Sequence, residues 1–179
     1  METLLRSLGQ DPARPGLEDT PRRVVDALHE MTEGYERDPE QILSTVFDDD
    51  HEELVTVRDI EFTSLCEHHL LPIRGRATVA YLPDGEVVGL SKLSRLVQAF
   101  AQRLQVQERM TRQIADAIEE HLAPRGVGVV LAAEHDCMSL RGVETPAEMV
   151  TSTFRGAVDE DPTRRRLLAS VHGDREAPQ

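Results

Sequence analysis

Cys66-Glu67-His68-His69 sets a thiol and an imidazole three positions apart, a bite short enough for one turn to aim both at a single ion. The second cysteine of the chain, Cys137, stands in Glu134-His135-Asp136-Cys137-Met138. Two thiolates and one imidazole, from Cys66, Cys137 and His69, would make a three-ligand zinc site with a fourth position open for water. That pattern marks a catalytic centre more than a structural one. The competing reading is two buried core thiols with His69 on the surface, and an isolated C-x-x-H would favour it. Here each cysteine ends an apolar, strand-like stretch and each has a histidine beside it, which favours metal. His68 and His135 are then unligated imidazoles next to the ion, suited either to moving protons near neutrality or to donating a supporting hydrogen bond.

A second cluster is Gly89-Leu90-Ser91-Lys92, with Arg95 one turn further along the same expected helix. A helix N-terminus offers unpaired N–H groups and a positive dipole end, and Lys92 and Arg95 add charge there, so the cluster reads as an anion or phosphate site. Lys92 is the single lysine in a chain that uses arginine at 19 other positions. No G-x-x-x-x-G-K-[ST] loop is present, so a bound nucleotide would not be handled as in an energy-coupled NTPase. In the polar stretch 103–109, Glu108 could accept from a guanine N1–H and amino group and Gln107 could supply mixed donors and acceptors. A solvated helix junction with Glu108 paired to Arg109 is the alternative, and spacing does not choose between them.

The elements that must position these groups follow from periodicity. Thr20-Pro21 reads as an N-cap and first turn, with Val24, Leu28 and Met31 on one face up to Gly34. A second short helix is expected over 39–47. Val55, Val57, Ile60 and Phe62 read as a strand with a bulge near Arg58-Asp59. Ile73, Ala77, Val79 and Tyr81 mark a second strand, ended by the turn Pro83-Asp84-Gly85. Ser91 is expected to cap a helix whose apolar face is Leu93, Leu96, Val97, Phe100 and Leu104. The next helix carries Met110, Ile114, Ala117, Ile118 and Leu122. Strands at 127–133 and 149–154 and a helix around 164–171 complete the order. This α-α-β-β-α-α-β-β sequence predicts an α+β fold, a four-stranded antiparallel sheet with helices on one face and open edge strands suited to oligomerisation.

Composition narrows the function classes. The chain has 179 residues and a formal net charge of −13, which disfavours general binding to nucleic acid or to anionic lipid. No apolar run approaches the ~20 residues of a membrane span and no basic, apolar start resembles a signal peptide, so a soluble, cytoplasmic protein is expected.

Five motifs in order carry a resemblance to GTP cyclohydrolase I. They are G-L-E-D-T-P-R-R-V at 16–24, F-T-S-L-C-E-H-H at 62–69, V-V-G-L-S-K-L-S-R at 87–95, R-L-Q-V-Q-E-R-M-T-R-Q-I at 103–114 and H-D-C-M-S-L-R-G at 135–142. The resemblance implies zinc on Cys66, His69 and Cys137, proton transfer by His68 and His135, and guanine held by Gln107 and Glu108. Ser91, Lys92, Arg95 and Arg141 would face the ribose and triphosphate, with Arg23 reaching in from a neighbouring subunit. It implies the tunnelling fold over 53–179 behind an N-terminal helical extension over 1–52. The assembly would be a homo-oligomer built through strand edges into barrels, usually a decamer of two pentamers. The implied reaction is hydrolytic opening of the guanine imidazole ring of GTP to formate and 7,8-dihydroneopterin triphosphate, at the head of tetrahydrofolate and pterin synthesis. A sibling tunnelling-fold enzyme acting on a deazapurine, or a non-catalytic pterin-binding scaffold, are the alternatives. The sequence departs from longer family members in its short N-terminus, and from the family's threonine-rich strand, here Thr151-Ser152-Thr153 followed by acidic residues 159–161.

Overall fold

The computed structural model describes residues 1–172 of the chain. Helices α1 (Glu2–Ser7), α2 (Thr20–Met31) and α3 (Pro39–Leu43), with a 3-10 turn at Glu33–Glu36, precede the first strand, β1 (Val46–Asp48). The expected helix over 39–47 is therefore cut short. Val46 and Phe47 are β-branched and aromatic, and they pair with Val88 and Val87 of β4 (Glu86–Val88) in a small antiparallel ribbon. Helix α2 is capped one residue earlier than the sequence suggested, at Asp19, whose carboxylate accepts from Arg23 instead of from a backbone N–H.

The main sheet is built from β2 (Val55–Cys66), β3 (Pro72–Leu82), β5 (Leu104–Gln105), β6 (Gly126–His135) and β7 (Glu148–Gly156), in the order β5-β2-β3-β6-β7. All its pairings are antiparallel except the two-residue β5, which runs parallel to β2 beside Leu65 and Cys66. The register of β2 on β3 shifts between Val57 and Ile60, and Asp59 takes a φ of 56° there, so the bulge falls where the broken alternation put it. Helices α4 (Leu90–Ala101) and α5 (Gln107–Leu122) lie on one face of the sheet. Leu93, Leu96, Val97 and Phe100 of α4 and Met110, Ile114 and Ile118 of α5 pack on Phe62, Ile73, Val79, Val129 and Leu131. Each such side chain contributes roughly 1.5–3 kcal/mol when fully buried. Ser91 does not cap α4: the helix starts at Leu90 with Gly89 in the capping position.

One expectation fails on the opposite face. Every residue from Gly126 to Ala133 is buried, because the C-terminal turn Ala157–Asp159 and helix α7 (Asp161–His172) cover the far side of β6. Ala80, Val158 and Leu167 form a second, smaller core there, with Phe154 and Leu82 packed against it. An almost wholly apolar strand needs cover on both faces, and the tail supplies the second one.

β3 and β6 approach closely at Gly75. A Cβ on that residue would lie 2.3 Å from the Ala132 carbonyl oxygen and 2.4 Å from the Ala133 Cβ. Gly75→Ala should therefore lower the unfolding free energy by about 1–3 kcal/mol, the usual cost of overpacking. Chemical denaturation with an unchanged m-value would check it.

Candidate metal centre

The ends of two strands make the site. Cys66 is the last residue of β2 and Cys137 follows His135, the last residue of β6, inside the one-turn helix α6 (Asp136–Ser139). Both strands flank β3, one ladder pairing Leu65 with Pro72 and the other Ile73 with His135, so the two ends meet at the same end of the sheet. After Cys66 the chain reverses in a tight turn. The Leu70 N–H donates to the Cys66 carbonyl at 2.8 Å, the Cys66 N–H to the Leu71 carbonyl at 2.9 Å, and Leu70 takes a left-handed φ of 55°. That turn brings His68 Nδ1 to 3.8 Å and His69 Nδ1 to 3.9 Å from the Cys66 sulfur.

Cys66, His69 and Cys137 each offer a ligand atom, and these atoms all lie within 4.8 Å of one another. A tetrahedral ion with bonds of about 2.0–2.3 Å holds its ligand atoms roughly 3.3–3.8 Å apart, a spacing this group reaches with small side-chain adjustments. Cys66 is only 5% exposed, and burial first, then the neighbouring Cys66 sulfur, pushes the Cys137 thiol above its ordinary range. Two crowded thiols gain from a cation between them.

Supporting contacts surround the group. Asp136, 5% exposed, takes two hydrogen bonds from the Arg74 guanidinium at 2.8 and 3.0 Å, which ties α6 to β3. Arg109 forms an ion pair with Glu67, holding the Glu67 carboxyl below its usual range and linking the start of α5 to the Cys66 turn. The alternative surface pair of Arg109 with Glu108 does not form; Glu108 stays exposed, with its charge felt at His135. Burial lowers the pKa of His135, and its Nε2 lies 2.8 Å from Gln107 Oε1. Gln107 is 1% exposed, and its amide nitrogen turns inward to Leu131, Met149 and Thr151. Arg141 Nη1 lies 3.3 Å from His69 Nε2.

Other candidates lie apart from this cluster. Ser91 and Lys92 follow β4, beyond the end of β3 at which Tyr81 pairs with Val55 and Val127, whereas the metal group sits where Pro72 begins that strand. β3 spans 11 residues, so the two ends stand about 33 Å apart at ~3.3 Å per residue. Lys92 and Arg95 instead line a cleft of about 350 Å³ with Arg37, Asp38 and Gln41. Arg23 is paired with Asp19 on α2. Sequence reasoning passed over Arg74, Asp136, Thr111 and Thr151. Asp136, charged and between two flagged residues, was the one available signal.

An α+β chain whose strand ends hold a Cys-His-Cys group, flanked by further imidazoles and a carboxylate, belongs among proteins with a candidate catalytic metal centre. The family profile described as GTP cyclohydrolase I matches residues 1–172, and the chain belongs to that family. GTP cyclohydrolase 1 of Gloeobacter violaceus is 53% identical over 175 residues, covering 96% of this chain and 82% of that protein. The protein of the same name from Halalkalibacterium halodurans is 51% identical over 94% of this chain and 90% of its own length. That from Dictyostelium discoideum is 50% identical over 96% and 75%. No helix among the described residues is long and apolar enough to cross a membrane.

Removing the Arg74 guanidinium leaves the Asp136 carboxylate buried without its partner. Arg74→Gln should cost about 1–2 kcal/mol of stability, less than a fully buried pair because the guanidinium is largely exposed. Thermal unfolding of the metal-free protein beside the parent would measure it.

Proposed function

We propose that this chain is a zinc-dependent GTP cyclohydrolase I, which opens the guanine imidazole ring of GTP by hydrolysis. The products are formate and 7,8-dihydroneopterin triphosphate. Two hydrolytic steps release C8 of the guanine as formate, and the ribose then rearranges and closes onto the freed amine with loss of one water. The observation that carries the reading is the convergence of Cys66, His69 and Cys137 in a chain of this family. Zinc, the ion that suits two thiolates and an imidazole, would supply the Lewis acidity that makes water nucleophilic at neutral pH.

The roles of the chain's own residues follow from their chemistry. His135, whose pKa burial lowers, and the exposed His68 take up and return protons during the two hydrolyses. Glu108 accepts from the N1–H and amino group of the guanine, a pair of donors that a carboxylate matches and that adenine lacks. Arg141, already beside the metal group, meets the triphosphate. Ser91, Lys92, Arg95 and Arg23 do so from neighbouring copies, since one chain holds the start of α4 at the far end of its sheet.

That division of the site supports a homo-oligomer of the tunnelling-fold type, with 1–52 as a helical extension to the 53–179 domain. Among the described residues β7 pairs with β6 alone and β5 covers two residues of β2, which leaves backbone edges for copies to join into barrels, as in a decamer of two pentamers. A −13 chain can still hold a tetra-anionic nucleotide if its arginines and Lys92 line the pocket within an acidic shell. With no membrane-length helix in the described residues, a soluble cytoplasmic enzyme feeding tetrahydrofolate or another pterin is the setting we infer.

Purified protein incubated with GTP and without nicotinamide cofactor should yield formate and, after oxidation, a fluorescent pterin. Tight GTP binding without formate would instead indicate a pterin-binding scaffold. Cys137→Ala should lose zinc and activity together while the assembly stays intact; full zinc occupancy by elemental analysis would refute the ligand set.

Lys92 offers a finer test. A compact ammonium at a helix N-terminus can sit between phosphate oxygens and backbone N–H groups without the bulk of a guanidinium. Lys92→Arg should weaken GTP binding by roughly 1–3 kcal/mol, with a smaller defect on GMP, which lacks the distal phosphates. An equal loss on both nucleotides would move Lys92 from the triphosphate to the ribose or base.

A further inference from the structure

Gln107 opens α5, yet its side chain faces away from solvent into a network whose hydrogen-bond directions are all determined. Its Nε2 lies 2.9 Å from the Met149 carbonyl oxygen, 3.2 Å from that of Leu131 and 3.1 Å from Thr151 Oγ1. Carbonyl oxygens only accept, so the amide must turn its NH₂ toward them; the flipped amide would set oxygen against oxygen twice. Oε1 then faces His135 Nε2 at 2.8 Å, and an amide oxygen cannot donate, so the hydrogen of that bond sits on the imidazole.

The two threonines keep the amide in this orientation. Thr111 Oγ1 donates to the Gln107 carbonyl at 2.7 Å and therefore accepts from Thr151 Oγ1, also at 2.7 Å. With its own hydrogen spent on Thr111, Thr151 offers lone pairs to Gln107 Nε2. The order runs from Thr151 to Thr111 to the Gln107 backbone on one side, and from His135 to the Gln107 amide on the other.

We propose that Gln107 is a positioning residue that fixes His135 in its Nε2–H tautomer, leaving Nδ1 as the ring's proton acceptor, with Thr151 as the lock that prevents the amide from flipping. The proposal rests on the reading of His135 as the group that handles protons during GTP opening. It also moves Gln107 from the guanine, where the family resemblance put it, to the support of the imidazole. A second nitrogen with a defined lone pair is what a general base requires, and hydrogen bonding to the first nitrogen is the usual device for defining it.

Long-range ¹⁵N–¹H correlation spectra of ¹⁵N-histidine-labelled full-length protein report the tautomer of each ring directly, with the His135 signals identified by their absence from His135→Asn. At a pH where the ring is neutral, parent protein should give the Nε2–H pattern with and without zinc, and an Nδ1–H pattern would overturn the proposal whatever the variants do. Gln107→Met, close in volume but without an acceptor, should give a mixed tautomer signal. Its kcat on GTP should fall about 10–100-fold, the range for loss of a group that orients a reacting residue, with KM changed by less than about threefold. A large rise in KM at unchanged kcat, with the tautomer intact, would return Gln107 to guanine binding and refute the positioning role. An Nε2–H signal in parent protein that makes no formate would uphold the tautomer assignment and refute the functional reading.

Discussion

The pairing of β3 with both β2 and β6 is the constraint from which the site follows. β3 is antiparallel to each neighbour, so the C-terminal ends of β2 and β6 must emerge at the same end of the sheet, where β3 begins. Those two ends carry Cys66 and His135, with Cys137 two residues beyond His135. A slip of one residue in either ladder would turn every side chain of that strand to the other face, so that against α4 and α5 Thr78 or Ala80 would replace Val79, and Gly128, Val130 or Ala132 would replace Val129 and Leu131, with a different packing volume. The apolar face that packs on α4 and α5 thus enforces the register, and the register enforces the distance between the two thiols. The bulge at Asp59 absorbs its irregularity near the far end of β2, away from the cysteines.

Buried polar groups then set the details that the sheet leaves open. Gln107, Thr111 and Asp136 are all nearly inaccessible, and each has partners: backbone carbonyls, a second threonine and the Arg74 guanidinium. An unpaired polar group in such surroundings costs about 1–3 kcal/mol, so these side chains have few alternative conformations. Rigidity of this kind is of use where an imidazole and two thiols must keep a fixed relation to one another. Arg109 adds a tie at the surface, joining the first turn of α5 to the Cys66 turn through Glu67.

The two candidate clusters stand toward opposite ends of β3. Within one chain the Cys-His-Cys group and the α4 N-terminus are separated along β3, and in the proposed assembly a second copy brings them together. Among the described residues β7 is the last strand of the sheet and only the two-residue β5 lies beyond β2, and such an assembly would form through these two sides. Edges of this length are hazards in a monomer, and closing them between copies would remove the hazard and complete the pocket together.

Local chemistry made much of this molecule legible in advance. Helical period gave α4 and α5, alternation gave β3, a break in alternation gave the bulge, and the order of elements gave an antiparallel α+β sheet. The turn at Cys66 could be read as a chelating bite because ligands three positions apart answer to local geometry alone. What escaped were features decided by contacts between distant parts of the chain. Residues 46–48 became a strand because β4 lay beside them, Gly89 took the capping position that Ser91 was expected to fill, and the far face of β6 was covered by the tail. Gln107 is the sharpest case. Its residue type announces donors and acceptors, and nothing in the chain order says whether they face a ligand or the core. Only the packing of α5 against β6 and β7, with two carbonyls and a threonine waiting beneath it, decided that its amide turns inward to His135.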